Sequence, residues 1–243
     1  GRHGGNFGGW WEFKEISGKE WYGGYIAKAV TTVSNSTKTE VMWLYNVPER
    51  KVTVVPNGID PEPFRIRVDP GEVKMHYGIH PLAPLVLFIG RLTKRWDVQF
   101  IFAGTGDMRG YLEGAAHGLP VQFPGYVSDT EHIRLLNACD LVAIPSRNEP
   151  FGLVLTEAWS AERCVVATDV GGLSENIDNY INGIKVPVRP ESIAWGIGHL
   201  IDDPAYMQKL GKAGRRKVME KFRWDVVTER MLGVYRKVLS GNP

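Results

Sequence analysis

Long apolar runs are absent from this chain of 243 residues. Crossing a bilayer takes roughly 18 consecutive apolar residues, and no segment approaches that length. Residues 1–5 do not resemble a signal peptide either. We therefore expect no transmembrane segment and a cytoplasmic location.

Cysteine is also scarce, with only Cys139 and Cys164 in the whole chain. Each lies beside an apolar run, so reduced and buried thiols are the interpretation that the pattern favours. The six histidines are scattered without the spacing of metal ligands. We expect no metal, and reduced thiols again favour the cytoplasm.

No long stretch carries charge of one sign. The chain has 29 lysines and arginines against 27 aspartates and glutamates, interleaved throughout, and a formal net charge of +2. A nucleic-acid-binding protein would show a basic stripe, so nucleic acid is not an expected partner. With 43% hydrophobic residues the composition is that of a globular protein with one large domain or two small ones.

The first part of the chain contains one clear supersecondary pattern. Up to Gly24 the sequence is rich in glycine and tryptophan without a period, which predicts irregular surface chain. Residues 29–60 then predict a βαβ unit that ends at Pro56-Asn57-Gly58. Its strand, helix and second strand are predicted at residues 30–33, 36–46 and 51–55.

The rest of the chain repeats short, continuously apolar runs, and helical patterns separate most of them. Such runs are typical of a parallel sheet covered by helices on both faces, which is a doubly wound fold. The predicted strands are 85–89, 98–103, 121–127, 141–145 and 165–168. A long amphipathic helix follows Asp225, and a basic group on the preceding helix, residues 215–217, predicts a solvated surface.

One connection in this pattern is too short. About five residues separate the strand that ends near Leu92 from the strand that begins near Val98, whereas a parallel crossover takes roughly a dozen. Either these two strands are antiparallel, or a loop and a helix are missing from the connection. Because the sheet otherwise alternates with helices, the second alternative is favoured.

The most informative segment is residues 145–158. A strand ends at Pro145, and Pro150 with Gly152 marks the start of a helix, so Glu149 is predicted at the carboxyl edge of the sheet. Ligands bind at that edge in doubly wound folds, where helix N-termini present N–H groups to phosphates. The ordinary alternative is a carboxylate beside a helix N-terminus, which contributes about 0.3–1 kcal/mol.

Glu157 is the second unusual carboxylate of this segment. It interrupts the apolar sequence of residues 153–159. An unpaired buried carboxylate is costly, so Glu157 is predicted to have a polar partner, and a ligand hydroxyl would serve.

The segment from Glu149 to Glu157 resembles the E-x7-E signature of retaining glycosyltransferases of the two-domain GT-B type, a group that includes glycogen and starch synthases. In that family the first glutamate lies against the donor sugar at the reacting centre, and the second hydrogen-bonds the ribose of the nucleotide. The resemblance implies these roles for Glu149 and Glu157. It runs from about Trp21 to Leu239.

Two further segments match the same family in the right order. Residues 55–60 are similar to the end of its N-terminal domain, and residues 88–92 resemble the start of its donor domain. The resemblance implies that Arg91 and a nearby lysine hold the diphosphate, where cations stabilise the charge of the leaving group. The family's Lys-Gly pair is absent, and Lys94 is the candidate that remains.

Glycine-rich turns supply the other candidates. Residues 103–107 do not form a dinucleotide fingerprint, because the next glycine comes one place too late. The resemblance places this turn and residues 125–127 near the nucleotide, and Gly171-Gly172 would suit an anion, although ordinary turns explain all three about equally well. Glu149 and Arg91 are thus the candidate catalytic residues, and the candidate donor-binding residues are Glu157, Lys94, Phe151, Gly152, Leu153, Gly104, Tyr126, Val127, Gly171 and Gly172.

The expected fold is α/β of the GT-B type: a doubly wound, parallel-sheet, Rossmann-like donor domain plus the C-terminal part of a second Rossmann-like domain. We predict a remnant of the acceptor domain at 1–66, the donor-binding domain at 67–222, and a helix at 223–243 that crosses back to the first part. So small a remnant would expose a large apolar face, so the natural protein is expected to be longer.

The implied function is transfer of a hexose, with glucose favoured, from an ADP-, UDP- or GDP-sugar to a sugar or other hydroxyl acceptor. The configuration at the anomeric carbon would be retained, without a cofactor. Two alternatives are a non-catalytic fragment that binds nucleotide sugars and a sugar-nucleotide epimerase of the same fold. The intact E-x7-E spacing favours the transferase over both.

Overall fold

The computed structural model of the chain describes residues 9–88 and 98–241. The helices in these ranges are α1 (Gly9–Ile26), α2 (Asn35–Tyr45), α3 (Pro70–His76), α4 (Arg109–Ala115), α5 (Asp129–Ala138), α6 (Leu153–Ser160), α7 (Gly171–Asn176), α8 (Pro190–Leu200), α9 (Pro204–Lys221) and α10 (Trp224–Leu239). The strands are β1 (Val30–Thr32), β2 (Val52–Val54), β3 (Leu85–Phe88), β4 (Gln99–Ala103), β5 (Val121–Gly125), β6 (Leu141–Ile144), β7 (Cys164–Thr168) and β8 (Ile184–Val186).

Residues 9–26 form α1, so the prediction of irregular chain is wrong from Gly9 to Gly24, and residues 1–8 lie outside the described residues. Trp21 and Tyr25 stack one turn apart on α1, with ring centroids 5.6 Å from each other. Glycine serves this helix through its small size, because a Cβ at Gly24 would lie only 2.7 Å from the Val47 side chain. Close packing against the following segment therefore outweighs the low helix propensity of glycine.

The predicted βαβ unit is confirmed. Strands β1 and β2 pair in parallel, with Val30 opposite Val52, and α2 connects them. The last helix, α10, lies against this unit, since Val227 and Val234 share a small apolar cluster with Val55. The domain boundaries at 66 and 222 stay a prediction.

A six-stranded parallel sheet forms the larger part of the molecule, with strand order β5-β4-β3-β6-β7-β8. Alternate residues of its strands enter two different apolar clusters: Val142 packs with α5 and α6, whereas Leu141 packs with α8 and α9. Both faces of the sheet are thus covered by helices. The doubly wound parallel fold predicted from the apolar runs is confirmed.

The short connection joins two parallel strands. Leu85 of β3 lies opposite Gln99 of β4 in a parallel ladder, so the antiparallel alternative is wrong. Residues 89–97 lie outside the described residues, so the favoured alternative, a loop and a helix missing from the connection, stays a prediction.

One basic side chain of α9 is buried rather than solvated, contrary to the prediction for residues 215–217. The guanidinium of Arg215 donates a hydrogen bond of 2.6 Å to the carbonyl of Ser160 at the end of α6. It also contacts the Glu62 carboxylate at 3.3 Å. A cation suits the carbonyls at a helix C-terminus, which explains why this arginine is buried there.

Both cysteines are free and buried, as predicted. Burial raises the pKa of Cys139 and of Cys164 to about 12, so neither thiol is reactive near neutral pH. Within the described ranges, no helix is long and apolar enough to cross a membrane. The same residues contain no group of three or more potential metal ligands.

Candidate active site

The direction in which the chain adds strands to the large sheet reverses between β3 and β6. Strands β4 and β5 extend the sheet from β3 on one side, whereas β7 and β8 extend it from β6 on the other. Ligands of doubly wound sheets bind at the carboxyl ends of the strands at such a switch point. The loop that leaves β6, residues 145–152, contains Glu149 and therefore borders the expected crevice.

The Glu149 carboxyl is held by the start of α6. Its Oε1 accepts a hydrogen bond of 3.0 Å from the Gly152 N–H, whereas Oε2 makes only a 3.5 Å contact with the Ser146 hydroxyl. The Thr168 hydroxyl, at the end of β7, donates to the Ser146 carbonyl at 2.5 Å and fixes the start of the loop. The carboxylate of Glu149 thus lies beside a helix N-terminus, as in the ordinary alternative. The hydrogen bond from Gly152 also fixes the direction of Oε1.

Gly152 makes this arrangement possible. Its φ of +101° lies where side chains are rarely tolerated, and it directly precedes α6. A Cβ at this position would lie 3.0 Å from the Leu173 side chain. Backbone geometry explains the glycine at position 152. A contact between the main chain of Gly152 and the nucleotide-sugar donor stays a prediction.

The pair Gly171-Gly172 packs directly against the Glu149 loop. The Gly172 N–H donates to the Glu149 carbonyl at 2.7 Å. Gly171 has a φ of +47°, and a Cβ there would collide with the same carbonyl oxygen. A Cβ at Gly172 would collide with the main chain of Phe151. Close approach of two backbones explains this pair, and its predicted contact with an anion is untested.

Phe151 and Leu153 flank Gly152 but face different surroundings. Phe151 is buried and makes an edge-to-face contact with Phe222, with ring centroids 5.5 Å apart. Only its main chain is therefore available to a ligand. Leu153, the first residue of α6, is half exposed.

Glu157 lies further along α6 and is paired with a histidine. Its Oε2 is 3.7 Å from Nε2 of His132, and its side chain is 24% exposed. Burial raises the pKa of Glu157, Asp129 adds to the rise, and His132 opposes it. A perturbed carboxyl beside a crevice is a common feature of functional sites.

His132 is the polar partner that Glu157 was predicted to need, and no spacing in the sequence pairs the two residues. It lies on α5, the helix after β5, and its side chain is 29% exposed. Only the packing of α5 beside α6 brings the two residues together. The one available signal was that helix α5 follows residues 125–127, which the family resemblance already placed near the nucleotide.

Two glycine turns end the neighbouring strands β4 and β5. Gly104 has a φ of +134° and Gly125 a φ of +82°, and the Gly104 N–H donates to the Gly125 carbonyl at 2.7 Å. Tyr126 is 78% exposed directly after this contact, whereas Val127 packs against the core. Of the two, only Tyr126 offers its side chain fully to a ligand.

The candidate diphosphate ligands Arg91 and Lys94 lie outside the described residues. Within the described ranges, a pocket of about 60 Å³ at the carboxyl ends of β6, β7 and β8 includes Arg147 and Arg189 in its lining. Arg147 belongs to the Glu149 loop, so this pocket borders the candidate site on its basic side.

A doubly wound sheet with an oriented carboxylate at its switch point is an architecture that binds ligands at the carboxyl ends of its strands, and comparison with known proteins identifies the family. Residues 83–217 match the family described as Glycosyl transferases group 1, and residues 2–63 match Glycosyltransferase Family 4. An uncharacterised glycosyltransferase of Methanocaldococcus jannaschii is 36% identical over 92% of this chain and 63% of its own length. The chain belongs to the glycosyl transferases group 1 family.

Another relative agrees with this assignment, and solved structures share the fold. The alpha-maltose-1-phosphate synthase of Mycobacterium tuberculosis is 29% identical over 88% of this chain and 64% of its own length. Sucrose-phosphate synthase from Thermosynechococcus elongatus has a similar fold, with a TM-score of 0.78 and 24% identity over 94% of this chain and 62% of its own. An Anabaena protein in complex with UDP and glucose has a TM-score of 0.80 and 21% identity, over 88% and 65% respectively.

These structural neighbours confirm the α/β, Rossmann-like fold of the GT-B type. The chain spans less than two thirds of the length of the relatives just named. The activity and substrates of the whole protein are therefore matters for proposal.

Proposed function

We propose that this chain is the donor-binding half of a retaining glycosyltransferase. The enzyme transfers a hexose, with glucose favoured, from a nucleoside diphosphate sugar to a hydroxyl acceptor. The observation that carries the proposal is the oriented Glu149 carboxyl at the switch point, whose Oε1 is held at 3.0 Å by the Gly152 N–H. A fixed negative charge there stabilises the positive charge that builds up on the sugar during transfer.

The proposed reaction keeps the anomeric configuration because both events occur on one face of the sugar. The bond from the anomeric carbon to the donor phosphate oxygen breaks, and a bond to the acceptor oxygen forms. The acceptor proton passes to the departing phosphate, so no protein base is consumed. Glu149 acts by its charge, and Arg91 and Lys94 are proposed to neutralise the diphosphate.

Glu157 is proposed to bind the ribose of the donor. Its side chain is 24% exposed and is paired at 3.7 Å with His132, which lies near the start of α5, the helix that follows β5. A ribose diol supplies the hydroxyl donors that a half-buried carboxylate lacks. The Gly104 turn and the exposed Tyr126 are proposed to lie against the base.

The substrates and the cellular location of the enzyme complete the proposal. The donor is an ADP-, UDP- or GDP-hexose, the acceptor is a sugar or another hydroxyl compound, and no resident cofactor or metal takes part. A cytoplasmic location is supported by the free, buried Cys139 and Cys164. The Anabaena neighbour in complex with UDP and glucose supports the donor class.

The test uses the full-length protein with ADP-, UDP- and GDP-glucose and a panel of sugar and sugar-phosphate acceptors. We expect turnover with one donor, unchanged by EDTA, and a product whose anomeric proton shows the configuration of the donor. A product of inverted configuration would overturn retention. Absence of turnover with every donor and acceptor would overturn the transferase in favour of a binding fragment.

A further inference from the structure

The N-terminus of α2 is capped from two sides. Within its own segment, the Ser34 hydroxyl accepts a hydrogen bond of 3.1 Å from the Thr37 N–H. The second cap comes from α7, the helix that follows β7 of the large sheet. Its Glu175 carboxylate accepts hydrogen bonds from the Asn35 N–H at 2.8 Å and from the Ser36 N–H at 2.5 Å. Glu175 thus satisfies two of the four N–H groups that a helix start leaves unpaired.

The negative charge at this helix start comes entirely from the distant glutamate, because α2 has no acidic residue in its own first turn. In contrast, α5 carries Asp129 and Glu131 in its first turn. A carboxylate near a helix N-terminus is favourable, whereas Glu175 itself lies in the last turn of α7, where negative charge is unfavourable. Glu175 therefore stabilises the start of α2 and the contact between α2 and α7, and it does not stabilise α7 itself.

The same short helix also holds the Glu149 loop at two points. At the beginning of α7, the Gly172 N–H donates to the Glu149 carbonyl at 2.7 Å. At its end, the Asn176 side chain donates to the Phe151 carbonyl at 3.0 Å. A helix of six residues thus connects two carbonyls of the Glu149 loop to the first turn of α2.

We infer that Glu175 is a positioning residue that couples the position of α2 to that of the Glu149 loop. This inference rests on the proposed function, in which α2 belongs to the acceptor side of the enzyme. A movement of α2 relative to the sheet is transmitted through Glu175 and α7 to the loop backbone at Glu149 and Phe151. Because Glu175 is exposed, water can replace its partners, so the contact can open and re-form as the two parts move.

The coupling has a consequence for the reaction. Transferases of this kind exclude water by closing the acceptor side over the donor. If Glu175 aligns the Glu149 loop with that closure, its loss loosens the loop in the free enzyme and misplaces Glu149 when the enzyme closes. Transfer then suffers more than donor binding, and the share of donor lost to hydrolysis rises.

The test compares Glu175→Gln with Ser34→Ala in the full-length protein. Both variants weaken the same end of α2, but only Glu175→Gln affects the contact with α7. The Gln side chain keeps the shape of Glu175 and loses its charge and one acceptor oxygen. Glu175→Asp, which keeps the charge but has a shorter reach, is expected to restore part of the lost function.

The first measurement is amide hydrogen exchange without any substrate, followed in peptides that cover residues 146–153 and 170–177. We expect Glu175→Gln to speed exchange there by roughly fivefold or more, since the Gly152 and Gly172 amides lose their fixed partner. Ser34→Ala is expected to speed exchange only in α2. Equal exchange of the Glu149 loop in Glu175→Gln and wild type, or the same loop effect in Ser34→Ala, would overturn the coupling.

The second measurement is kinetic. Glu175→Gln should lower kcat for transfer by roughly tenfold or more, with the donor KM changed less than about twofold, and raise the ratio of hydrolysis to transfer. Ser34→Ala should lower the melting temperature and leave that ratio unchanged. If wild-type protein shows no transfer, the proposed function fails, and the exchange comparison still decides the coupling.

Discussion

Glu149 and Glu157 belong to one loop-and-helix segment, yet the protein surrounds their carboxyls differently. The Glu149 carboxylate accepts a hydrogen bond of 3.0 Å from the main-chain N–H of Gly152. Glu157 faces a side chain, His132, at 3.7 Å, and burial raises its pKa. One carboxylate is thus oriented by backbone, whereas the other is only loosely paired and partly desolvated.

One short segment thus offers two different carboxylates for the two proposed roles. A carboxylate fixed by backbone keeps its direction, which suits stabilisation of a transition state. A desolvated carboxylate with a weak partner gains more from a ligand that donates hydrogen bonds to it. Environment rather than residue type separates the two roles.

The largest effect is expected from Glu149→Gln in the full-length protein. Glutamine keeps the shape and one acceptor for the Gly152 N–H but removes the negative charge. We expect kcat to fall about 10²–10³-fold, while the Kd of the donor changes less than about threefold. Steady-state kinetics and isothermal titration with the donor measure the two quantities. The control is Glu191→Gln, an exposed glutamate in the first turn of α8, which should behave as wild type.

The next effect concerns the backbone that orients Glu149. Gly171→Ala places a Cβ against the Glu149 carbonyl oxygen, at a residue whose φ is +47°. We expect the free energy of unfolding to fall by about 3 kcal/mol, measured by urea denaturation. Gly233→Ala is the matched control, because its Cβ would meet nothing within 4 Å inside α10. It should stabilise the protein by up to about 1 kcal/mol, and equal losses in both variants would contradict the explanation.

The parallel sheet and the place of Glu149 could be predicted because they depend on local signals. Apolar runs between helical patterns define buried parallel strands, and Pro150 with Gly152 marks where α6 starts. Strand and helix ends were predicted within about two residues for these elements. The resemblance to the family then supplied the roles of both glutamates, which no spacing alone establishes.

The rest depended on contacts between segments far apart in the chain. His132 meets Glu157 only through helix packing, Arg215 is buried only because α6 ends beside it, and α1 is helical although it contains glycines. The predicted anion site at Gly171-Gly172 had an alternative explanation in backbone packing that the sequence could not decide. Local patterns predict elements well, but they do not show which side chains meet across them.

Glu157→Gln is expected to affect donor binding rather than turnover. The amide accepts a ribose hydroxyl less strongly than a carboxylate, so the donor Kd should rise by about tenfold. Because Glu149 is unaffected, kcat at saturating donor should stay within about threefold of wild type. Titration calorimetry and initial rates separate the two effects. A large loss of kcat with unchanged Kd would reverse the roles assigned to the two glutamates.

The smallest effect is the dependence of stability on pH that Glu157 produces. Burial raises its pKa in the folded protein above the ordinary value of 4.5, so the folded state binds this proton more tightly than the unfolded state does. The stability that the protonated carboxyl contributes is therefore fully present below about pH 4.5 and is lost as the pH rises through the raised pKa. Wild type should lose stability relative to Glu157→Gln over this range, as measured by urea unfolding at constant ionic strength. His132→Gln removes the group that opposes the raised pKa of Glu157, so it should extend the loss of stability to higher pH. If wild type instead gains stability relative to Glu157→Gln as the pH rises, then His132 outweighs burial.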